Sequence, residues 1–87
     1  MVYNVKSVGG SLDCTGNRQI SESTFPLLEY VGGDFILAGS AFTRMPDSLT
    51  FVGGRAIISR SDPASLLLSL KQAEAKGIIK GGVFLRD

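Results

Sequence analysis

The sequence predicts an α/β (β-rich) repeat solenoid, in which short parallel strands stack side by side and one helix lies near the C-terminus. A Val-Gly-Gly phrase begins at Val8, Val31 and Val52, with a degenerate copy from Ile79, and it recurs often enough to suggest a solenoid repeat. After each glycine pair the apolar residues fall on alternate positions, which is the period of a strand with one inward face. Units repeated in this way cannot bury both their faces alone, so neighbouring units share one core.

The chain of 87 residues is long enough for one small domain, which we assign to residues 1–87. Hydrophobic residues make up 44% of it and charged residues 20%, which is ordinary globular usage and far from the composition of disordered proteins. Nine basic and eight acidic residues are scattered along the chain, so no nucleic-acid partner is expected. The predicted repeats span residues 8–30, 31–51, 52–78 and 79–87.

The alternation after each glycine pair predicts which strand residues face the core. The expected inward residues are Leu12, Cys14, Phe35, Leu37, Ala56, Ile58, Val83 and Leu85. Gly16 and Gly39 follow the first two strands by two residues, where a turn needs positive φ or tight packing. The paired glycines before each strand are expected at bends that stack on one another and leave no room for a Cβ.

Between the strands the chain must return along the opposite side of the core. Two returns share a Pro-containing phrase, around Pro26 and Pro46, in which Pro fixes φ where the backbone turns. We expect each return to supply a second apolar layer behind the strands, formed by Phe25, Leu28, Met45 and Leu49.

The third return is predicted to be a helix over residues 63–76, with Ser61 or Asp62 as its N-cap. Gly77 followed by Ile78 predicts a Schellman ending. We expect this helix to cap the core through an apolar stripe of Leu66, Leu67, Leu70 and Ala73.

The N-terminal residues carry no targeting or membrane signal, because no basic region is followed by an apolar run and no stretch approaches about 18 apolar residues. Val2, Tyr3 and Val5 alternate and could add an edge strand within residues 1–6. Cys14 is the one cysteine and is expected to be a buried free thiol, so no internal disulfide can form. We therefore expect a cytoplasmic protein without a membrane partner.

The strand phrase from Val8 to Cys14 and the return Met-Pro-Asp-Ser-Leu-Thr-Phe-Val from Met45 together resemble short bacterial leucine-rich repeats. These repeats are written L-P-x-x-L-x-V-G-G-x-L-x-L-x-G and occur in secreted effectors and in small phage or prophage proteins. The resemblance covers residues 7–59, with Phe25 and Met45 standing where the pattern has leucine. In effectors such repeats recognise substrates beside a separate ubiquitin-ligase domain that has no counterpart in this sequence. The resemblance thus implies a leucine-rich-repeat-like fold, binding rather than catalysis, and a host cytoplasm if the protein is phage-encoded.

The residue inventory predicts no enzyme, no cofactor and no metal site. The chain has no histidine, which removes the commonest general base and metal ligand, and one cysteine cannot form a zinc cage. Asp13 and Asp34 are expected at equivalent or nearly equivalent outward positions of neighbouring strands. They are either a carboxylate pair or, with Arg55, part of a solvated ladder of compensating charges.

One outward column is expected to change from Asp13 to Ile36, Ile57 and Phe84, and an open sheet face that meets only water should not carry such apolar residues. Either another protein covers this face, or the C-terminal segment or a second copy of the chain folds over it. The predicted protein-binding residues are Asp34, Ile36, Arg55, Ile57 and Phe84. Tyr3 and Tyr30 are candidate peripheral contacts.

The leading functional hypothesis is a non-enzymatic protein-binding module, with a phage or prophage inhibitor of a host enzyme or defence component as its specific form. The alternative is a self-assembling structural subunit, a homo-oligomer without a heterologous target. A sugar-binding or hydrolytic β-solenoid ranks last, because it would need an aromatic row or convergent carboxylates.

Overall fold

The computed structural model describes residues 2–86 and contains short strands, one α-helix and a 3-10 helix over Glu22–Thr24. The strand residues are mainly apolar or β-branched, and short bends with a glycine pair, at residues 9–10, 32–33 and 53–54, alternate with longer returns between the strands. In chain order the elements are β1 Ser7–Val8, β2 Leu12–Asp13, β3 Tyr30–Val31, β4 Phe35–Ile36, β5 Phe51–Val52, β6 Ala56–Ser59, α1 Ala64–Ala75 and β7 Val83–Arg86.

The strands form two parallel sheets, one with the order β1-β3-β5 and the other with the order β2-β4-β6-β7. The bends after Val8, Val31 and Val52 carry the chain from the first sheet to the second. A parallel bridge between Val52 and Ile79 continues the first sheet by one residue. Parallel strands and one helix are as the sequence predicts, whereas the first sheet was not expected.

Each pairing joins one Val-Gly-Gly phrase to the same position of the next phrase. Val8 pairs with Val31, Val31 pairs with Val52, and the bridge joins Val52 to Ile79, where the degenerate copy begins. The second sheet keeps this correspondence, because the residues four positions further along the chain pair in the same order: Leu12 with Phe35, Phe35 with Ala56, and Ala56 with Val83. The spacing of the glycines along the sequence therefore matches the register of both sheets.

The glycine bends are in backbone contact with one another. A Cβ at Gly32 would overlap the carbonyl oxygen of Gly9, and a Cβ at Gly53 would overlap that of Gly32. The φ angles of these residues are not positive, so lack of space rather than backbone strain excludes other residues here. Gly16 and Gly39, by contrast, have φ of 70° and 73°, as expected for the turns that close the first two strands.

The apolar core lies between the strands, the returns and the helix. From the strand side the buried residues include Cys14, Val31, Phe35, Leu37, Val52, Ala56 and Ile58, and from the returns they include Phe25, Leu28 and Leu49. Met45 packs against this core while remaining partly exposed. The second apolar layer predicted for the returns is confirmed, and Phe42 joins it with its ring edge-on to Phe35 at 5.7 Å.

Leu85 is not in the core, contrary to the expectation from its alternation. It pairs with Ile58 on the inward side of β7 but remains 37% exposed, and Val83 is only partly buried. The reason is that β7 is an outermost strand, and no further strand within residues 2–86 lies beside it.

Helix α1 begins and ends close to its predicted limits, but its N-cap is Pro63 and not Ser61 or Asp62. The Asp62 carboxylate instead accepts backbone hydrogen bonds from Ser59 at 2.8 Å and from Gly39 at 3.3 Å. The predicted Schellman ending is confirmed, because the N–H of Ile78 donates to the carbonyl of Ala73 at 3.0 Å and Gly77 has φ of 82°. The stripe is confirmed in that Leu66, Leu70 and Ala73 are buried and Leu67 is partly buried.

Residues 2–6 do not form the edge strand that their alternation predicted, and Met1 lies outside the described residues. The N–H of Tyr3 donates to the carbonyl of Thr24 at 2.7 Å, and the carbonyl of Lys6 accepts from the N–H of Glu29 at 2.8 Å. The segment thus follows the return before β3, where its backbone finds partners, instead of extending a sheet.

Replacing Gly53 by Ala is expected to lower the free energy of unfolding by more than the roughly 1 kcal/mol of an ordinary glycine propensity change. The added Cβ would overlap the Gly32 carbonyl, and backbone cannot move aside cheaply. Gly9→Ala is the matched control, since no described atom lies within 4 Å of its Cβ position. Urea denaturation of both variants measures the difference, and equal midpoints would contradict the close approach.

Truncation of Leu37 to Ala is expected to cost about 2–5 kcal/mol of stability, because the side chain is completely buried and its removal leaves a cavity. Ile57→Ala removes a side chain on the outward side of the neighbouring strand β6, and it should lower the free energy of unfolding by about 1 kcal/mol or less. Chemical denaturation of the isolated monomer tests both. A larger loss at Ile57 than at Leu37 would place the strand register one residue away from the one described here.

Candidate protein-binding face

The outward side of the second sheet carries rows of side chains that run across its strands. The central row consists of Asp13, Ile36, Ile57 and Phe84, which the parallel register places side by side. By the same register, Ser11, Asp34, Arg55 and Gly82 form the row before it. We call this surface the strand face, and it brings together all five residues predicted to bind a protein: Asp34, Ile36, Arg55, Ile57 and Phe84.

The central row is apolar over three of its four positions. Ile36 and Ile57 are partly buried, and the Phe84 ring is 47% exposed. Each belongs to a different strand, so their spacing is set by backbone hydrogen bonds, such as the one from Leu37 N–H to the Ile57 carbonyl at 2.8 Å. The face therefore presents an apolar ridge whose spacing is set by the sheet.

A polar ladder fixes the row beside this ridge. The N–H of Asp34 donates to Ser11 Oγ at 3.0 Å, and the N–H of Arg55 donates to Asp34 Oδ1 at 2.8 Å. The Arg55 guanidinium also lies 3.5 Å from Asp34 Oδ2 while its side chain remains 55% exposed. The compensated ladder predicted from the sequence is therefore observed for Asp34 and Arg55, but Asp13 is not part of it.

Asp13 and Asp34 are not a carboxylate pair, because Asp13 lies opposite Ile36 and belongs to the central row. Its carboxylate accepts hydrogen bonds from the hydroxyl and the N–H of Thr15. The bond from the Thr15 hydroxyl and then the bond from its N–H lower the pKa of Asp13. Burial opposes this shift, and the nearby Arg86 charge adds a further, lesser lowering. Asp13 is thus an ionised group held by its own turn.

Two arginines lie over the strand face, and neither contact was predicted. The Arg55 guanidinium carbon is 5.7 Å from the centroid of the Phe84 ring, within the range of a cation–π contact. Arg86 Nη2 donates to Thr15 Oγ1 at 2.9 Å, although the two residues are on opposite edges of the sheet. Such contacts between distant residues leave no local signal in the sequence.

Tyr3 and Tyr30, the candidate peripheral contacts, lie on other elements. The Tyr30 ring stacks on Phe51 of the first sheet, with centroids 4.8 Å apart, and Lys80 Nζ lies 5.8 Å from the Phe51 ring. The Tyr3 ring packs against Phe25 at 5.6 Å. Neither tyrosine belongs to a strand of the sheet that carries the ridge.

An open cleft of about 380 Å³, which the sequence did not reveal, separates helix α1 from the return before β5. The helix is tied to this return by two hydrogen bonds, from Ser65 Oγ to the Thr43 carbonyl at 2.7 Å and from Met45 N–H to Ser69 Oγ at 2.9 Å. Arg44, Asp47, Gln72 and Lys76 line the cleft. Arg44 is already engaged by Glu22 and Asp47, at 3.4 and 3.5 Å.

Cys14 is a buried free thiol, as predicted, and only 2% of its surface is exposed. Burial, with a smaller contribution from the Asp13 charge, raises the pKa of this thiol to about 11. Because the thiolate is the reactive form, the cysteine is inert near neutral pH.

Comparison with family models, curated proteins and solved structures found no match to this chain. Within residues 2–86 the structure contains neither a helix long and apolar enough to cross a bilayer nor a cluster of three or more residues suited to hold a metal ion.

The native protein is expected to resist thiol-specific reagents at pH 8, because Cys14 is both covered and protonated there. An Ellman assay should detect close to one thiol per chain in denaturant and almost none without it. Rapid labelling of the native protein, at the rate seen in denaturant, would show that the strand β2 edge opens readily.

Proposed function

We propose that this protein is a non-enzymatic binding module that recognises another protein through the strand face. The observation that carries the proposal is the ridge of Ile36, Ile57 and Phe84, which the sheet aligns on its outward side, with Phe84 exposed and the two isoleucines partly exposed. Apolar residues that reach the surface in one contiguous row are typical of surfaces that associate with partners.

The groups around the ridge favour a protein as the partner. An apolar centre with a polar rim is the usual composition of a protein interface, and arginine is common among its strongest contributors. Arg55 supplies such a rim, because Asp34 and Phe84 already hold its guanidinium in place while more than half of the side chain stays exposed. An ordered side chain loses little entropy on binding, so this arrangement supports affinity.

The chemistry of the face supports binding over catalysis. The chain has no histidine, and the two aspartates considered as a carboxylate pair belong to different rows. Asp34 is engaged by Arg55 and Asp13 by Thr15, so each carboxylate has a structural task.

We further propose that the two sheets and their glycine bends form a leucine-rich-repeat-like solenoid, of the kind that the Val-Gly-Gly phrases resemble. The support is the agreement between pairing register and phrase spacing, since the first residues of successive phrases pair with one another from Val8 to Ile79. On this hypothesis the partner is a host enzyme or defence component, the protein acts in the cytoplasm, and a small phage or prophage inhibitor is its specific form.

Charge placed on the ridge is expected to abolish partner capture without unfolding the chain. In the double variant Ile36→Asp, Ile57→Asp, a carboxylate would lose water without gaining a partner in the complex, but it would remain hydrated in the free protein. Its matched control is Leu27→Asp, Leu68→Asp, which changes two side chains that are 41% and 60% exposed on other elements.

The tagged wild type and both variants would be used for affinity capture from a lysate of the source organism, followed by calorimetry with the purified captured protein. We expect at least a hundredfold weaker binding for the ridge variant and unchanged binding for the control. The ridge variant should be less stable, because its two carboxylates lie directly opposite each other, but still folded at the temperature of the assay. Full binding by a folded ridge variant would show that the strand face is not the working surface.

A further inference from the structure

The bend at Gly9 and Gly10 differs from the later glycine bends, because no other bend of the described chain packs against the positions where its side chains would be. A Cβ built at either residue has no described atom within 4 Å, whereas one at Gly33 would be 2.6 Å from Ser11 Oγ and one at Gly81 would be 2.6 Å from the Gly54 carbonyl group. At each later bend, the missing side chain makes room for the backbone of the bend before it. At Gly9 and Gly10 that room faces away from the molecule.

No contact within the described chain explains why both positions are glycine. Their φ angles are not positive, so another residue would meet neither strain nor a neighbour. Glycine loses more conformational freedom on folding than any other residue and destabilises regular structure by roughly 0.5–1 kcal/mol relative to alanine. Glycine at such a place often marks the close approach of another backbone.

The outermost strands of the second sheet have matching free sides. The N–H groups of Leu12 and Cys14 donate inward to the carbonyls of Asp34 and Ile36, so the alternate residue, Asp13, directs its backbone outward. At the other end, the Ala56 N–H donates to the Gly82 carbonyl, which leaves Val83 and Leu85 directed away from β6. If the same parallel register continued from β7 to β2 of another molecule, the N–H groups of Val83 and Leu85 would donate to the backbone carbonyls of Ser11 and Asp13 of that molecule.

Side chains at the two ends are also complementary. Leu85 is 37% exposed at one end, and Val8, Leu12 and Ile20 are only partly buried at the other. Contact between the ends would cover these apolar residues.

We propose that the edge formed by β1, the Gly9-Gly10 bend and β2 receives the β7 edge of a second copy, head to tail, with all strands parallel. The contact uses different surfaces on the two molecules and leaves one free edge at each end, so assembly continues beyond the dimer unless a rotation closes a ring. It involves backbone and edge residues and goes beyond the binding function proposed for the strand face.

Cysteine cross-linking tests the arrangement and its register. Asp13 and Phe84 occupy the same row, so head-to-tail docking places Asp13 of one copy beside Phe84 of the next, at the spacing of about 4.8 Å between adjacent strands. A disulfide needs Cα atoms within roughly 7 Å, and inside one chain β4 and β6 separate the two residues. The single variants Asp13→Cys and Phe84→Cys would be purified, mixed and oxidised, with the wild type and its buried Cys14 as the background control.

We expect the mixed dimer to exceed either homodimer at least tenfold on a non-reducing gel with mass identification. Adding Gly9→Val and Gly10→Val to the Asp13→Cys chain should reduce the mixed dimer to background at an unchanged melting temperature, because these side chains fill the docking space but meet nothing in the monomer. Homodimers in equal yield, or no dimer above background, would overturn the proposal. The Ile36→Asp, Ile57→Asp pair should leave cross-linking intact, which separates failure of this contact from failure of the strand face.

Discussion

The structure depends on one steric constraint, which is the contact between the backbones of successive glycine bends. The Gly9 carbonyl occupies the place that a side chain at Gly32 would need, and the Gly32 carbonyl does the same at Gly53. This approach allows two sheets to share each bend at the ordinary strand spacing of about 4.8 Å. The parallel registers on both sides of the bends follow, because neither sheet can slip without separating these backbones.

Register then decides which side chains become neighbours. Cys14 directly follows β2, Leu37 directly follows β4 and Ile58 lies in β6, and together they build one continuous strip of core on the inner side. On the outer side the same alignment produces both the apolar ridge and the ladder from Ser11 through Asp34 to Arg55. Core and candidate binding surface are thus two faces of one ladder, and a shift of one residue would exchange them.

Local patterns predicted the parts of the fold that local chemistry controls. Alternation after the glycines identified the buried Phe35 and Ala56, and Gly77 with Ile78 identified the end of α1. The first sheet was missed because its strands stand before the glycine pairs, at the ends of the stretches interpreted as returns, and show no alternation of their own. Asp62 resembled an N-cap, but its acceptor role toward Gly39 depends on a segment 23 residues away.

The candidate site shows the same division. Register alone placed Ile36, Ile57 and Phe84 in one row, so the sequence was sufficient for the ridge. The sequence was insufficient to place the two carboxylates, because Asp13 and Asp34 lie in adjacent rows. Only the observed pairing of Leu12 with Phe35 shows that Asp34, and not Asp13, aligns with Arg55. The reach of Arg86 to Thr15 and the cleft beside α1 depend on three-dimensional packing that no spacing encodes.

The pairing of each phrase with the next one along the chain also governs how the protein acquires its structure. Each strand pairing joins one phrase to the next and so closes a loop of similar, modest length. The free-energy cost of closing a loop grows only slowly, by about 0.6 kcal/mol for each doubling of its length. No pairing has to wait for the two ends of the chain to meet. As a ribosome releases the polypeptide, each new segment can therefore dock on the one before it, and folding can advance from the N-terminus at the pace of synthesis.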